Sequence, residues 1–445
     1  MEGEINANKK HPIGMYFLAL TASAERFSYY GMRAFLILYM VNAVDNYLGG
    51  MGWDDALAGK VYGIFTGLCY FFPLIGGYIA DRFIGERRSV LIGAILIMLG
   101  HFTCAIDNKI VPFVLGLTFL IIGNGFFKTP ILTMVGDLYE QGDKRRDSAF
   151  TLYYMLFNAG VFIAPILCGY LGVRYGYRYG FITAGIGMVL GIILYLVSSK
   201  KCLGKIGTIP KHKLKAKESK EKVLLTKEEK DRIAVIFVLL FFVTFFWAGY
   251  EQAGSSFNLY TKRYIDRVIL GWEVPAEWFQ SINPLFIVIL SPFFAWLWLA
   301  LEKRGKNPST PMKMALGMII LGLGFLFMLG AVHQRGGDIA DASVKASLFW
   351  ILATYFMHTI GEICLSPIGL SMITKLAPVH LGSFFMGIWF LSNFLANLIS
   401  GFLVGYVSKL GAGTVFSAIA IFIIMLGIIV FILARKLLSM MHGRD

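Results

Sequence analysis

The sequence predicts an all-α polytopic membrane protein with about twelve transmembrane helices in two six-helix bundles. Hydrophobic residues make up 57% of the 445 residues and charged residues only 15%, whereas soluble domains carry about 25% charged residues. Apolar runs of roughly 20 residues recur along the chain, the length that a helix needs to cross about 30 Å of hydrocarbon. One long polar stretch, 199–230, divides these runs into two equal sets.

The first bundle occupies 1–198 and the second 231–445, joined by a basic linker at 199–230. The predicted spans are 15–42, 57–82, 88–106, 112–138, 146–172, 178–198, 231–260, 278–302, 311–333, 344–375, 379–406 and 411–438. Their length excludes a β-barrel, whose strands have about 10 residues of alternating polarity. The polar start runs directly into the first span, so no cleavable signal peptide is predicted.

The net charge of +14 is distributed like that of a membrane protein, not like that of a nucleic-acid-binding protein. Basic residues concentrate in alternate loops, which identifies those loops as cytoplasmic and places both termini inside. These residues are Lys9, Lys10, Arg82, Arg87, Arg88, Lys144, Arg145, Arg146, Lys303, Arg304, Lys306, Lys313, Arg435 and Lys436, with the linker. We therefore expect a multi-pass protein of the bacterial plasma membrane, in contact with lipid.

Two bundles joined by a cytoplasmic loop are the layout of transporters that alternate access around a midplane site. A monomer is the expectation, since one chain supplies both bundles. The lysine-rich linker is expected to be a solvated tether, with docking on the anionic inner leaflet as the alternative. The five cysteines are scattered and imply neither a disulfide framework nor a metal site, and no cofactor or enzymatic nucleophile is predicted.

The first span contains charged residues in the run AERFSYYGMRAFL. Each charge costs about 2.5–3.5 kcal/mol at the bilayer centre, so Glu25, Arg26 and Arg33 are expected to contact a partner or a water-filled cavity. Arg26, Tyr29, Tyr30 and Arg33 follow helical spacing and share one face. This face is predicted to line a solute path.

Other spans contain Lys128, Glu251 and Glu362. The first bundle therefore supplies cations and the second supplies carboxylates, which suits a zwitterion. A short peptide is such a solute, and Asn158 and Asn283 each offer a donor and an acceptor for its peptide bond.

Aromatic residues complete the predicted substrate site. Tyr29, Tyr30, Tyr70, Trp247 and Trp389 combine apolar area with a polar edge and are expected to form side-chain pockets.

The intramembrane charges have a second interpretation, in which they pair with one another and hold the bundles together. An Arg33–Glu251 bridge and a Lys128–Glu362 bridge would then act as gates, which is compatible with transport.

The loop after the second span reads GGYIADRFIGERRSV and resembles the loop motif of the major facilitator superfamily. Asp81 at the helix end is predicted to pair with a basic residue and lock one bundle arrangement. Simple anchoring in headgroup water explains Arg87 and Arg88 but not the Gly and Asp spacing.

Six longer segments match a known pattern: ERFSYYGMRAFL, RRDSAFTLYYMLFNAG, FWAGYEQAGSS, WFQSINPLFIVILSPFFAWLW, HTIGEICLSPIGLSMITKLAP and MGIWFLS. With them the chain resembles the proton-coupled oligopeptide transporter (POT) family of that superfamily. The resemblance implies proton-driven import of di- and tripeptides. Arg26 and Lys128 would hold the carboxylate, Glu362 the amino terminus, and Asn158 and Asn283 the backbone, with Arg33 and Glu251 as the outer gate.

Three features depart from the family. Ala22 replaces the first glutamate of its ExxER pattern, so half of the carboxylate pair is missing beside Glu25, and proton coupling would rest on Glu251 or Glu362, have a different stoichiometry or be absent. KTPI replaces Lys-Pro-Asn at Lys128, and 199–230 lacks an apolar run for two extra helices. The alternatives are transport of nitrate or an amino-acid-like solute, and a peptide receptor without transport. Glu362 argues against a bare anion.

Overall fold

The computed structural model describes residues 11–106, 109–140, 143, 145–210, 225–339, 341, 343–378 and 381–444. Within these ranges, eleven helical segments are long and apolar enough to cross a membrane. The first helix, which carries three charged side chains, is additional to these eleven. The predicted all-α polytopic architecture with about twelve spans is confirmed. Of the predicted cytoplasmic cations, Lys9, Lys10 and Lys144 lie outside the described residues, as do positions 211–224 of the linker.

The chain folds into two compact units. The first comprises Met1–Trp53 and Leu68–Lys220, and the second comprises Asp54–Gly67 and Glu221–Asp445. The segment 54–67 is the first half of the second helix, which therefore contributes residues to both units.

The first unit consists of long helices with short turns. They are α1 (Ile13–Val41), α2 (Asp55–Ile79, shared with the second unit), α3 (Glu86–Cys104), α4 (Ile110–Asp137), α5 (Arg145–Tyr175) and α6 (Tyr177–Cys202). A π-helical turn, Ala80–Ile84, follows α2. Helix α1 packs on α5 and α6, and α3 packs on α4.

Backbones approach closely where α2 meets α4. A β-carbon on Gly76 would lie 2.1 Å from the carbonyl oxygen of Gly125. That distance is too short for a carbon–oxygen contact, so any larger residue would push the two helices apart. Small residues permit such contacts between membrane helices, where apolar packing is the main attraction.

The segment that follows α6 is docked on the first unit. The Arg87 backbone N–H donates to the Gly207 carbonyl at 2.9 Å, and the Arg87 guanidinium donates to the Gly204 carbonyl at 3.0 Å. Leu203 is 1% exposed. The expectation of a solvated tether is wrong for 203–208, because the Gly204 and Gly207 carbonyls accept hydrogen bonds from Arg87 at the start of α3.

The second unit contains the remaining helices. They are α7 (Lys227–Tyr250), α8 (Ser256–Tyr264), α9 (Ile282–Lys303), α10 (Thr310–Gln334), α11 (Leu348–Leu376), α12 (Gly382–Leu410) and α13 (Ala412–Met440). Helix α10 packs on α11 and α13, and α7 packs on α12, around one buried apolar cluster. A two-stranded hairpin, β1 (Val268–Ile269) and β2 (Trp272–Glu273), connects α8 to a 3-10 turn, Ala276–Ser281.

The seventh predicted span, 231–260, is not one continuous helix. It starts earlier, because Thr226 and Glu229 form a capping box. It is then interrupted by a 3-10 segment, Glu251–Gly254, before α8. The amide of Gln252 bonds to the Ser400 hydroxyl at 3.1 Å and accepts from the Ser256 hydroxyl at 2.7 Å, so side chains hold the break.

The first half of α2 packs on α12 within the second unit. A β-carbon on Gly63 would lie 2.6 Å from the Asn397 carbonyl, and one on Gly67 would lie 3.0 Å from the Phe394 carbonyl. These two glycines therefore act in helix packing, as their spacing predicts.

Candidate functional site

The predicted site residues of the first unit gather on α1, α2, α4 and α5. Glu25 is buried and Arg26 is partly exposed, and their side chains form an ion pair with 3.3 Å between Nε and Oε2. The Arg26 guanidinium lies 4.6 Å from the centre of the Phe157 ring. Among the described residues, Glu25 Oε1 has no hydrogen-bond partner. The buried carboxylate therefore keeps one oxygen available.

The Lys128 ammonium lies in an aromatic setting. Its nitrogen is 4.6 Å from the centre of the Tyr29 ring and 5.1 Å from that of Tyr70. Cation–π contacts of this kind stabilise an ammonium by about 0.5–2 kcal/mol, depending on its hydration. In the described part of the first unit, no carboxylate lies within 4.0 Å of the Lys128 nitrogen. The cation is therefore available for an anionic group of a ligand.

The face predicted for α1 is present. Tyr29 and Tyr30 pack edge to face with ring centres 5.2 Å apart, and the Arg33 guanidinium lies 5.8 Å from the Tyr30 ring centre. Asn158 on α5 is 9% exposed and donates to the Tyr154 carbonyl at 2.8 Å. The side-chain carbonyl of Asn158 is not engaged by that bond and can accept from a peptide N–H.

Two further predicted residues differ in exposure. Asp81 is exposed in the π-helical turn after α2. Glu251 is buried at the first position of the 3-10 segment between α7 and α8.

In the second unit, Glu362 on α11 is the centre of a hydrogen-bond network. The Tyr250 hydroxyl donates to Glu362 Oε2 at 2.7 Å, and Asn283 Nδ2 donates to the same oxygen at 2.8 Å. Asn283 Nδ2 also donates to the Thr359 hydroxyl at 3.1 Å. Both donors bind one oxygen, which leaves Oε1 free to accept from an ammonium group.

The Glu362 carboxylate has no counter-ion among the described residues of its own unit. In the described part of the second unit, no Lys, Arg or His nitrogen lies within 4.0 Å of its carboxylate. A buried or half-buried carboxylate without a counter-ion is costly, and two hydrogen bonds only partly offset that cost.

The predicted aromatic residues of this unit differ in setting. Trp247 packs edge to face on Tyr250 with ring centres 5.1 Å apart, and its indole N–H has no acceptor among the described residues. Trp389 is 5% exposed and its ring lies against Gly369, where a β-carbon would come within 2.7 Å. Trp247 thus borders the Glu362 network through Tyr250, whereas Trp389 lies in the apolar core.

Sequence reasoning missed Tyr250, Thr359 and Phe157. Thr359 precedes Glu362 by three residues, so helical spacing already placed it on the same face. Tyr250 had only a weak signal, its position beside Glu251 in a span with other polar residues. Within the described ranges, no group of three His, Cys, Asp or Glu side chains could hold a metal ion.

Comparison with known proteins relates the chain to a family. A model of the POT family matches residues 87–215 and 203–417. The uncharacterized transporter YclF of Bacillus subtilis (strain 168) is 35% identical over 97% of this chain and 96% of its own length. The peptide transporter YePEPT of Yersinia enterocolitica is 35% identical over 89% of this chain and 88% of its own.

A solved structure agrees with this relationship. The crystal structure of the peptide transporter POT in complex with sulfate superposes with a TM-score of 0.90 and 33% identity. The match covers 97% of this chain and 96% of that one.

Proposed function

Because this chain belongs to the POT family of transporters, we propose that it imports di- and tripeptides by alternating access, in symport with protons. One observation carries this proposal. Lys128 in the first unit and Glu362 in the second each lack a counter-ion among the described residues of their own unit. A zwitterionic ligand supplies both missing partners.

The peptide carboxylate binds at Arg26 and Lys128. Arg26 is already paired with Glu25, so the net charge of the cluster comes from Lys128. The arginine contributes directed donors and the lysine a point charge. Tyr29, Tyr30 and Tyr70 provide apolar walls for side chains.

The peptide amino terminus binds at Glu362. Tyr250 and Asn283 hold Oε2, so the ammonium is received by Oε1. Asn158 and Asn283 bind the peptide backbone, and Trp247 shapes a side-chain pocket. Trp389, which is buried in the apolar core, would have to become accessible to line one. The partly exposed position of Glu362 supports access from a cavity.

Proton coupling involves Glu25, Glu251 or both. Glu25 is buried and has one oxygen without a hydrogen bond among the described residues, which supports a role in proton transfer despite Ala22. Arg33 and Glu251 are assigned to gating, as is the exposed Asp81. The protein acts as a monomer in the plasma membrane, with both termini in the cytoplasm.

The test is uptake of dialanine into liposomes that contain the purified protein, with and without an inward proton gradient and an inside-negative potential. A potential of 100 mV supplies about 2.3 kcal/mol per translocated charge. Accumulation above equilibrium only with the gradient supports symport. Equilibration without accumulation would replace symport by facilitated transport, and absence of uptake would point to another cargo or to a receptor.

Lys128→Gln is the matched variant for this assay. It removes the ammonium charge and retains a side chain of similar length. It should abolish accumulation of dialanine, while liposomes with the unmodified protein accumulate it. Equal uptake by both proteins would contradict the assignment of Lys128 to the peptide carboxylate.

A further inference from the structure

The hairpin between α8 and α9 has an apolar residue in an unfavourable turn position. Strands β1 and β2 pair Ile269 with Trp272, so the loop has two residues, Leu270 and Gly271. Their φ angles are +51° and +81°. This is the geometry of a type I′ turn, in which Asn, Asp or Gly normally occupies both positions because a larger side chain clashes with its own backbone.

The Leu270 side chain projects away from the protein. It is fully exposed, at 103% of the reference area. Val268, Ile269 and Trp272 are also exposed, at 56%, 46% and 47%. Four neighbouring apolar side chains thus project from one loop tip, and contiguous exposed apolar surface of this kind marks an interaction site.

The base of the hairpin is held firmly. Ile265 pairs with Ala346, and the Asp266 N–H donates to the Ala346 carbonyl at 2.8 Å. Arg267 is 8% exposed, donates to the Val274 carbonyl and pairs with Glu273 at 2.5 Å. The ion pair offsets the carboxylate at the end of β2. The exposed Asp266 carboxylate accepts from the Val268 N–H at 3.1 Å at the base, and Val268–Trp272 itself contains no charged side chain.

The position of the hairpin favours lipid as its partner. It connects a span that ends at Tyr264 with a span that begins at Ala276, and therefore lies on the side of the membrane where these two spans meet the water. Trp272 and Trp278 pack with ring centres 5.2 Å apart. Tryptophan is enriched at that boundary, where its aromatic ring lies at headgroup level.

Helix α9, which follows the hairpin in the chain, also exposes apolar side chains. Val288 and Ile289 are 63% and 59% exposed, as expected for a helix face that contacts lipid. We propose that the hairpin tip, Val268–Trp272, is a lipid anchor that inserts Leu270 into the adjacent leaflet, the outer one on the predicted orientation. This role does not depend on the cargo.

The test places a fluorophore at the tip. Leu270→Cys is made in a Cys202→Ser background, since the other four cysteines are buried and Cys202 is partly exposed. The NBD-labelled protein is reconstituted into phosphatidylcholine nanodiscs and quenched with aqueous iodide or with a doxyl-labelled lipid. Ile339→Cys, at a 100% exposed apolar position in another loop, is the matched control.

The label at position 270 should be quenched by the doxyl lipid, and its iodide quenching constant should be at least about fivefold lower than at position 339. Equal iodide quenching at the two positions would overturn the proposal. Protection from both quenchers would also overturn it, in favour of a protein partner. Ile269→Cys repeats the measurement if Leu270→Cys fails to fold.

Discussion

Removing the Tyr250 hydroxyl tests whether the hydrogen-bond network around Glu362 prepares it for a peptide ammonium. Tyr250→Phe deletes one of two donors to Glu362 Oε2 and leaves Asn283 in place at 2.8 Å. A hydrogen bond to a charged group contributes about 1.5–3 kcal/mol. Because Asn283 still donates to Glu362, the loss of binding free energy for unmodified peptide should lie near the lower limit. A loss of about 1.4 kcal/mol corresponds to a tenfold weaker affinity.

The physical reason is the orientation of the carboxylate. With both donors on Oε2, Oε1 is presented to the ligand; with one donor, the carboxylate rotates and must be reordered on binding. The loss should therefore affect only ligands with a free ammonium. Competition for dialanine uptake by unmodified and by N-acetylated dipeptides measures the two affinities.

Tyr355→Phe is the matched control. The Tyr355 hydroxyl accepts from the Gln280 amide at 3.0 Å and donates to the Ala253 carbonyl at 3.4 Å. Its removal should change both affinities by less than about twofold, a few tenths of a kcal/mol. The reasoning is refuted if Tyr250→Phe leaves the affinity for unmodified peptide unchanged, or weakens both ligands equally.

Three further predictions concern charge and packing. Glu362→Gln should weaken binding of unmodified peptides far more than of N-acetylated ones, measured by the same competition; equal losses would reject Glu362 as the amino-terminal anchor. Ala22→Glu adds a carboxylate one turn before Glu25 and should raise the proton dependence of uptake, so an unchanged pH profile counts against Glu25 as the coupling partner. Gly76→Ala should destabilise the protein by about 1–3 kcal/mol, because its β-carbon would lie 2.1 Å from a backbone oxygen, whereas Gly172→Ala, with 3.4 Å of space, should not. Thermal unfolding in detergent compares the two variants. Equal unfolding midpoints would contradict the reasoning and show that α2 and α4 can separate enough to fit a β-carbon.

The spans could be predicted from sequence because the membrane imposes a length on each apolar run. Predicted and observed starts agree closely for α1, predicted from 15 and observed from Ile13, and for α10, predicted from 311 and observed from Thr310. The break after Tyr250 could not be predicted in this way. The predicted span runs unbroken over 231–260, whereas the interruption at Glu251–Gly254 depends on Gln252 bonding to Ser400, 148 residues away.

The charged residues of the candidate site could likewise be identified from sequence, because an ionisable side chain in a membrane span is expensive. Their hydrogen-bond partners could not. Tyr250 and Glu362 are 112 residues apart, and which hydroxyl reaches which oxygen depends on how α7 packs against α11. The aromatic residues were the least predictable, since Trp247 and Trp389 have similar sequence surroundings but different exposure.

The interruption between α7 and α8 makes α8 a short lever. Its nine residues extend about 13 Å, and Gln252 and Ser256 fix the near end. A tilt of about 10° around that end moves the far end by about 2 Å. Arg263 lies at the far end and holds Asp55 through two contacts of 2.6 and 2.7 Å. A rotation that opened this ion pair would also stretch the hydrogen bond from the Ala346 N–H to the Tyr264 carbonyl, 2.8 Å long, so these two contacts together set how easily α8 turns while α7 stays in place.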